Sequence, residues 1–352
     1  MLTMTRTRLS PLGLVIGQSS ASFVQLAGSL DQLELRSAAH CLLPPMDGES
    51  PEAIDGAVTD ALRTLVSDHR LRGRNVVSCL RSDELIIENI RLPQLPRDEI
   101  VKAVQWEASE RLSIPLAEAE VRHLVAGEVR QDNVVKQEVI LIACPREVIR
   151  RRLRVLEGAG LTPIGLDIEP CASLRSLHRA QAINETSRIA YLQCGETSST
   201  LMFTEGARIL FLKSIAMGGR QFDAAAAQAL AVDPIMAAQM RSDVFAARAL
   251  DGEDEVHRSI IESLRPCFET LIEEMELCLR YHKVTFRGRP LEGLVMSGSE
   301  SAPWLAEYFG ERVGLKSRAI TALDGLTGAD SPSVQYRPGR WTAALGLAMK
   351  RM

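Results

Sequence analysis

Short apolar runs closed by glycine alternate along this chain with longer stretches in which apolar residues recur every three or four positions. That alternation of periods is the pattern of mixed α/β order. Leu12-Gly13-Leu14-Val15-Ile16-Gly17 reads as a buried strand stopped by glycine, residues 22–26 as the return strand of a hairpin, and 32–41 as a third strand. A helix is expected over 51–69 and a strand over 75–80. The texture then changes. A run at 85–92, the proline-punctuated Leu92-Pro93-Gln94-Leu95-Pro96, a helix over 97–111 and strands at 120–128 and 134–144 form a candidate inserted subdomain spanning about 84–145. Pro145 opens a further helix, where a missing N–H costs little, and 161–168 leads into a helix over 170–181. The polar stretch 182–187 marks a hinge. Beyond it come strands at 189–195 and 209–215, then helices at 222–230, 234–250 and 255–282. In the last of these, Val256, Ile260, Leu264, Cys267, Leu271, Met275 and Cys278 form one apolar stripe. A strand at 291–297, a helix at 302–310 and a closing helix at 341–350, rich in Ala and Gly and suited to close packing, complete the chain.

A weak internal repeat organises this series. Gly17 is followed by the Ser-rich turn Gln18-Ser19-Ser20, a return strand, and Gly28 eleven residues on; Gly195 is followed by Glu196-Thr197-Ser198, a return strand, and Gly206 at the same spacing. Two lobes that begin with the same hairpin predict a duplicated α/β fold with a cleft between the halves. The expected lobes are 11–183, carrying the insertion, and 187–325, with a helical insertion at about 219–286; residues 326–352 return to the first lobe.

Composition narrows the function only slightly. With 352 residues the chain is long enough for two cores, and its 41 basic and 45 acidic side chains leave a net charge of -4. Nothing in that balance favours nucleic acid, and three Trp, four Tyr and eight Phe are too few for a base-stacking platform. Cys41, Cys79, Cys144, Cys171, Cys194, Cys267 and Cys278 are scattered without metal-ligand spacing and read as filler thiols in a reducing compartment. Residues 1–10 carry Arg6 and Arg8 without a following apolar region, so no signal peptide is expected. No apolar run reaches the ~20 residues of a spanning helix, which predicts no direct membrane insertion.

Four Gly-rich turns follow strands: Gly17-Gln18-Ser19-Ser20, Gly195-Glu196-Thr197-Ser198, Gly218-Gly219-Arg220 and Ser297-Gly298-Ser299-Glu300. Bare backbone N–H groups in such turns point at phosphates without interference from Cβ, and hydroxyls add donors. Each is by itself an ordinary tight turn; their order around a duplicated fold leads to the expectation that they line one cleft. Nucleotide hydrolysis also needs carboxylates to hold Mg²⁺, yet Val15 and Gln193 stand at the ends of the two repeated strands. Asp167 and Glu169 flank a strand-to-helix junction, where capping of the helix and a ligand-facing role are both open. Trp106, on the 97–111 helix, is read as core or as a partner anchor. No HExxH, GxSxG or Walker pattern occurs, and no metal site is expected.

These residues, in this order, resemble the actin-like ATPase superfamily and, within it, the type IV pilus assembly protein PilM family, over about 12–349. The stretch 13–20 is similar to the first phosphate loop, 192–199 to the second, 218–223 to the Gly-Gly turn opening the second lobe's insertion, and 296–300 to the adenosine loop. Most specific are 90–96 with 103–108, then 143–148 and 160–170, which are similar to the pilus protein rather than to actin or Hsp70. The resemblance implies an actin-like, ribonuclease H-like two-lobe fold with an inserted α+β subdomain. It also implies a cytoplasmic scaffold, peripheral at the inner membrane, that binds the N-terminal tail of a PilN-like single-pass membrane protein and joins it to motor parts such as the pilus motor ATPase. Nucleotide-binding positions would be Gly17, Gln18, Ser19, Ser20, Gly195, Glu196, Thr197, Ser198, Gly218, Gly219, Gly298 and Ser299, with ATP and Mg²⁺ as cofactors.

The chain departs from that pattern where the family carries Asp at Val15 and Gln193, Lys at Ser22, and Gly-Gly-Gly at Gly298-Ser299-Glu300. The resemblance therefore implies a degenerate nucleotide site, with Glu300 crowding or repelling a nucleotide. Two alternatives stand beside it: an active pilus ATPase using Asp167 and Glu169, and a platform component of a type II secretion system. The partner surface is expected on the inserted block at Leu92, Leu95 and Trp106; self-association stays open.

Overall fold

The computed structural model describes residues 9–30, 32–44, 48, 50–69, 71–131, 134–181, 184–247, 249–250, 253–286 and 289–352. Most of the 1–10 segment and the first two residues of the expected hinge, 182 and 183, lie outside them. In chain order a meander of β1 (Leu12–Ile16), β2 (Ser20–Ser29) and β3 (Gln32–Leu42) runs through α1 (Pro51–Asp68) to β4 (Asn75–Leu80). The insertion follows as β5 (Ile86–Pro93), α2 (Arg97–Arg111), β6 (Ala119–Gln131) and β7 (Val134–Pro145). The chain then returns through α3 (Arg146–Gly158), β8 (Thr162–Ile168) and α4 (Glu169–Gln181). The second series is β9 (Arg188–Cys194), β10 (Ser199–Glu205), β11 (Arg208–Ile215), α5 (Gly219–Leu230), α6 (Pro234–Ala246) and α7 (Glu255–Thr285). It ends with β12 (Gly293–Ser297), α8 (Pro303–Val313), β13 (Ser317–Ala319), α9 (Pro332–Gln335) and α10 (Thr342–Met349). The three-residue β13 was too short to show in the hydrophobic pattern.

The duplication is explicit in the topology. One five-stranded sheet has the order β3-β2-β1-β4-β8 and the other β11-β10-β9-β12-β13, each an antiparallel meander continued by two parallel strands. Both first turns are closed by the same bond, Gly17 N–H to Ser20 O at 2.8 Å and Gly195 N–H to Ser198 O at 3.0 Å. Gly28 and Gly206 both have positive φ, 104° and 56°, and a Cβ would meet a carbonyl oxygen at 2.1 Å or 2.5 Å respectively. The repeated glycines are therefore fixed by backbone geometry.

Two compact units result. One comprises Met1–Arg81, Arg146–Ala182 and Thr321–Met352; the other Ser82–Pro145 and Ile183–Ile320. In the first, α10 is buried along its whole length, and its small residues allow backbone contact. A Cβ on Gly13 would lie 2.0 Å from Ala344 O, and one on Gly346 1.7 Å from Ala172 O. The Ala/Gly composition of the closing helix is thus the condition for seating it on β1 and α4.

In the second unit α7 starts at an Asp254 cap that accepts from Val256 N–H and His257 N–H, and it buries the stripe from Ile260 to Cys278. Val256 belongs to the first turn and is exposed, so the stripe begins one turn later than the periodicity suggested. The inserted sheet, in the order β5-β7-β6, carries α2 on one face, where Ile100, Val104 and Ala108 meet Ile90, Leu92, Val139 and Leu141. It is tied to the rest of its unit by polar contacts. Asn89 donates to Leu212 O at 3.0 Å, and Arg91 donates to Glu138 at 2.9 Å and to Thr285 Oγ1 at 2.8 Å. The Tyr281 hydroxyl also donates to Glu138, whose side chain is fully buried.

Two measurements follow from this packing. Gly346→Ala should lower unfolding stability by about 1–3 kcal/mol, because the new methyl group overlaps the Ala172 carbonyl; equilibrium urea unfolding checks it, and an unchanged midpoint would contradict the seating of α10. His282 is buried among Phe203 and Phe286, and burial, then the nearby Arg188 charge, pushes its pKa down to about 4. The unfolded chain takes up this proton near pH 6.5 but the folded protein does not, so stability should fall between about pH 6.5 and 4. Thermal unfolding of His282→Gln should show a shallower decline through that window.

Candidate functional site

Three of the four Gly-rich turns belong to the second unit, and the fold brings them into contact. The Gly195–Ser198 turn lies against the start of α5: Gly219 N–H donates to Gly195 O at 3.1 Å and Arg220 N–H to Glu196 O at 2.8 Å. Gly218 N–H donates to Gln221 Oε1 at 3.0 Å. A Cβ on Gly218 would meet Gly195 O at 2.6 Å, so glycine is required for this approach. The third turn closes on the same point, with Glu300 N–H bonded to Cys194 O at 3.1 Å. Gly298, at φ 102°, would place a Cβ 2.2 Å from that same Cys194 carbonyl oxygen. Ser299 and the Glu196-Thr197-Ser198 turn are half-buried, whereas Gln193 at the end of β9 is buried.

Beneath these turns lies an ionic cluster that no sequence period announces. Arg241 of α6 is 4% exposed and its Nε lies 2.5 Å from Asp223 of α5, while Nη1 pairs with Glu300. The guanidinium also rests 5.0 Å from the ring centre of Phe245 and 5.9 Å from that of Phe222. Burial works against its charge, but the Glu300 and Asp223 carboxylates outweigh that effect and raise its pKa above the ordinary guanidinium value. Glu300 itself is 4% exposed, and a Cβ on Gly219 would come within 2.9 Å of its carboxyl carbon. The side chain thus points inward, below the α5 N-terminus.

A second feature is contributed by the segment leading into the insertion. The hydroxyls of Ser82 and Thr200 are 2.8 Å apart, and Thr197 Oγ1 donates to Asp83 at 3.4 Å. Asp83 therefore brings a carboxylate to the second loop. Sequence reasoning missed it because Asp83 and Thr197 are joined by a contact across 114 positions rather than by a motif.

The fourth turn, Gly17–Ser20, belongs to the first unit. Val15 is packed against buried Val77 and Leu347, and Ser22 is bonded to His40 Nδ1 at 3.0 Å. Burial, then the Arg340 and Arg337 charges, holds the His40 pKa down at about 4, so the ring is neutral at physiological pH. Gln18 and Ser20 are half-buried and Ser19 is exposed, its carbonyl accepting from Leu43 N–H at 2.7 Å. Asp167, at the end of β8, is engaged by Arg175 at 3.0 Å and by Lys350 at 2.9 Å, and accepts from Ile168 N–H. Arg175 continues to Gly346 O at 2.6 Å, so this carboxylate anchors α10. Glu169 is half-buried in the first turn of α4. Among the described residues no group of three or more His, Cys, Asp or Glu is placed to hold a metal ion.

The three expected partner-contact residues separate. Leu92 is 3% exposed inside the insert core, and Leu95 is packed partly against that core. Trp106 is 63% exposed on α2, on the side away from Ile100, Val104 and Ala108, which corrects its reading as core. No helix among the described residues is long and apolar enough to cross a membrane.

The same architecture occurs in known proteins. The chain matches the solved structure of a PilM-PilN type IV pilus biogenesis complex with a TM-score of 0.78 and 23% identity, over 97% of this chain and 98% of that one. It also matches the ethanolamine utilization protein EutJ from Carboxydothermus hydrogenoformans, with a TM-score of 0.58 and 12% identity over 97% and 89% of the two chains. These likenesses establish the actin-like fold. The model of the family described as type IV pilus assembly protein PilM matches residues 13–352. The chain, with its duplicated five-stranded sheets and its insertion between β4 and β8, belongs to the type IV pilus assembly protein PilM family.

Proposed function

We propose that this protein is a scaffold of type IV pilus biogenesis, held at the inner membrane by the N-terminal tail of a PilN-like protein, and that its nucleotide site is degenerate. Family membership over 13–352 supports the pilus role. The partner follows by analogy with the PilM-PilN complex whose fold it shares.

One observation carries the second half: the N–H groups at the start of α5, which a phosphate would need, are engaged inside the protein. The three N–H groups at the start of α5 bond to Gln221, Gly195 and Glu196. Val15 and Gln193 give no carboxylate for Mg²⁺ at the two loops. In the second unit, the buried Arg241 guanidinium beneath the α5 N-terminus is already paired with Glu300 and Asp223 and so is not offered to a phosphate. Asp167 is held by two cations of its own unit and is poorly placed to exchange them for a metal. These residues do not fit Mg-ATP, and no catalytic step is assigned to them.

The reading gives two expected outcomes. Titration calorimetry with Mg-ATP should show no binding in the micromolar range and no phosphate release; affinity tighter than about 1 μM, with turnover lost in Glu169→Gln, would overturn the degenerate site. For the partner, Trp106 is the exposed aromatic of the insertion. Trp106→Ala should weaken binding of a synthetic N-terminal tail peptide of the PilN-like protein about tenfold or more, as expected for loss of an aromatic anchor. An unchanged dissociation constant, with the fold intact by circular dichroism, would place the docking surface elsewhere.

A further inference from the structure

A guanidinium buried to the extent of Arg241 cannot remain without an anion, because the cost of desolvating its charge must be offset by a nearby negative group. The anion it has comes from the chain itself. Glu300 projects from the turn after β12, pairs with Nη1, and rests against Gly219 in the first turn of α5. A carboxylate in that position also faces the positive end of a 12-residue helix. Asp223 takes Nε, and the rings of Phe245 and Phe222 flank the guanidinium. Three elements separated in sequence, α5, α6 and the β12 turn, meet on this one side chain.

We propose that Glu300 is a built-in anion: its carboxylate takes the place against Arg241 that an external carboxylate or phosphate would otherwise fill, and so holds α5, α6 and the Gly298–Glu300 turn together without a ligand. This rests on the reading that the nucleotide site is degenerate, and gives that reading a cause in two named residues. Glycine at position 300 would leave the buried guanidinium with Asp223 alone and open to an anion from solvent. Glu300 thereby closes the loop cluster to anionic ligands.

The experiment is chemical rescue followed by thermal unfolding, with formate as the probe and chloride at equal ionic strength as the control. Wild-type protein should show the same midpoint in both salts. Glu300→Ala should melt lower by about 5 °C or more, and millimolar formate, but not chloride, should restore at least half of the loss. A Glu300→Ala protein as stable as wild type, or one that responds equally to both salts, overturns the inference. Should that variant fail to fold, the double variant Arg241→Met/Glu300→Leu decides. Removing both charges should give a more stable protein than Arg241→Met alone, which takes the facing guanidinium from two carboxylates. Equal or lower stability overturns the inference. Mg-ATP binding by the wild-type protein would instead refute the degenerate-site reading, so the two failures are read from different proteins.

Discussion

Buried charge must be answered within the fold, and three ionic clusters in this protein do so at the points where its elements meet. Arg241 joins α5, α6 and the β12 turn through Asp223 and Glu300. Asp167 joins the end of β8 to α4 and to the end of α10 through Arg175 and Lys350. Glu138, fully buried, joins two strands of the inserted sheet to α7 through Arg91 and Tyr281. An isolated charge at any of these positions would cost several kcal/mol. In each case the charge that orders a junction is thereby withdrawn from other chemistry. That constraint links the architecture to the functional reading: Asp167, Asp223, Glu300 and the first N–H groups of α5 all have partners within the protein.

The duplicated fold supplies the frame on which this happens. Each sheet begins with a meander whose first turn closes through the same backbone bond, and each carries a positive-φ glycine at the far end of its second strand, Gly28 within β2 and Gly206 just after β10. The loops retain this geometry although the side chains at Val15 and Gln193 carry no charge. Turn geometry is set by backbone hydrogen bonds and by the absence of Cβ, and neither depends on the residue that would hold a metal. The shape of these Gly-rich turns accordingly says nothing of whether a metal-holding carboxylate stands beside them. The inserted sheet, fixed to Leu212 and Thr285 by Asn89 and Arg91, belongs to the same compact unit as the loop cluster of the second series.

Most of the fold was legible in the sequence because it rests on local periodicity. The β1 run, the α7 stripe and the eleven-residue Gly spacing are each written in neighbouring positions and survive in the structure. The remainder is decided by tertiary partners. Trp106 lies on a helix whose buried face is defined by Ile100, Val104 and Ala108, and only the sheet beneath it shows that the indole is left outside. Leu92, in a proline-flanked stretch that suggested a surface edge, alternates inward on β5 instead. Glu300 was legible as a departure from the Gly-Gly-Gly pattern. Its partner Arg241 lies 59 positions away, and no spacing rule connects them. Asp83 was hidden for the same reason.

The central claim, that the loop cluster of the second unit is closed by the protein's own groups, is tested most directly by amide hydrogen exchange at Gly219 and Arg220. Their N–H groups donate to Gly195 and Glu196, so both should be protected in the nucleotide-free protein and should exchange at the same rate when Mg-ATP is added. Rapid exchange in the free protein that slows with Mg-ATP would show these donors waiting for a phosphate, and would contradict the account.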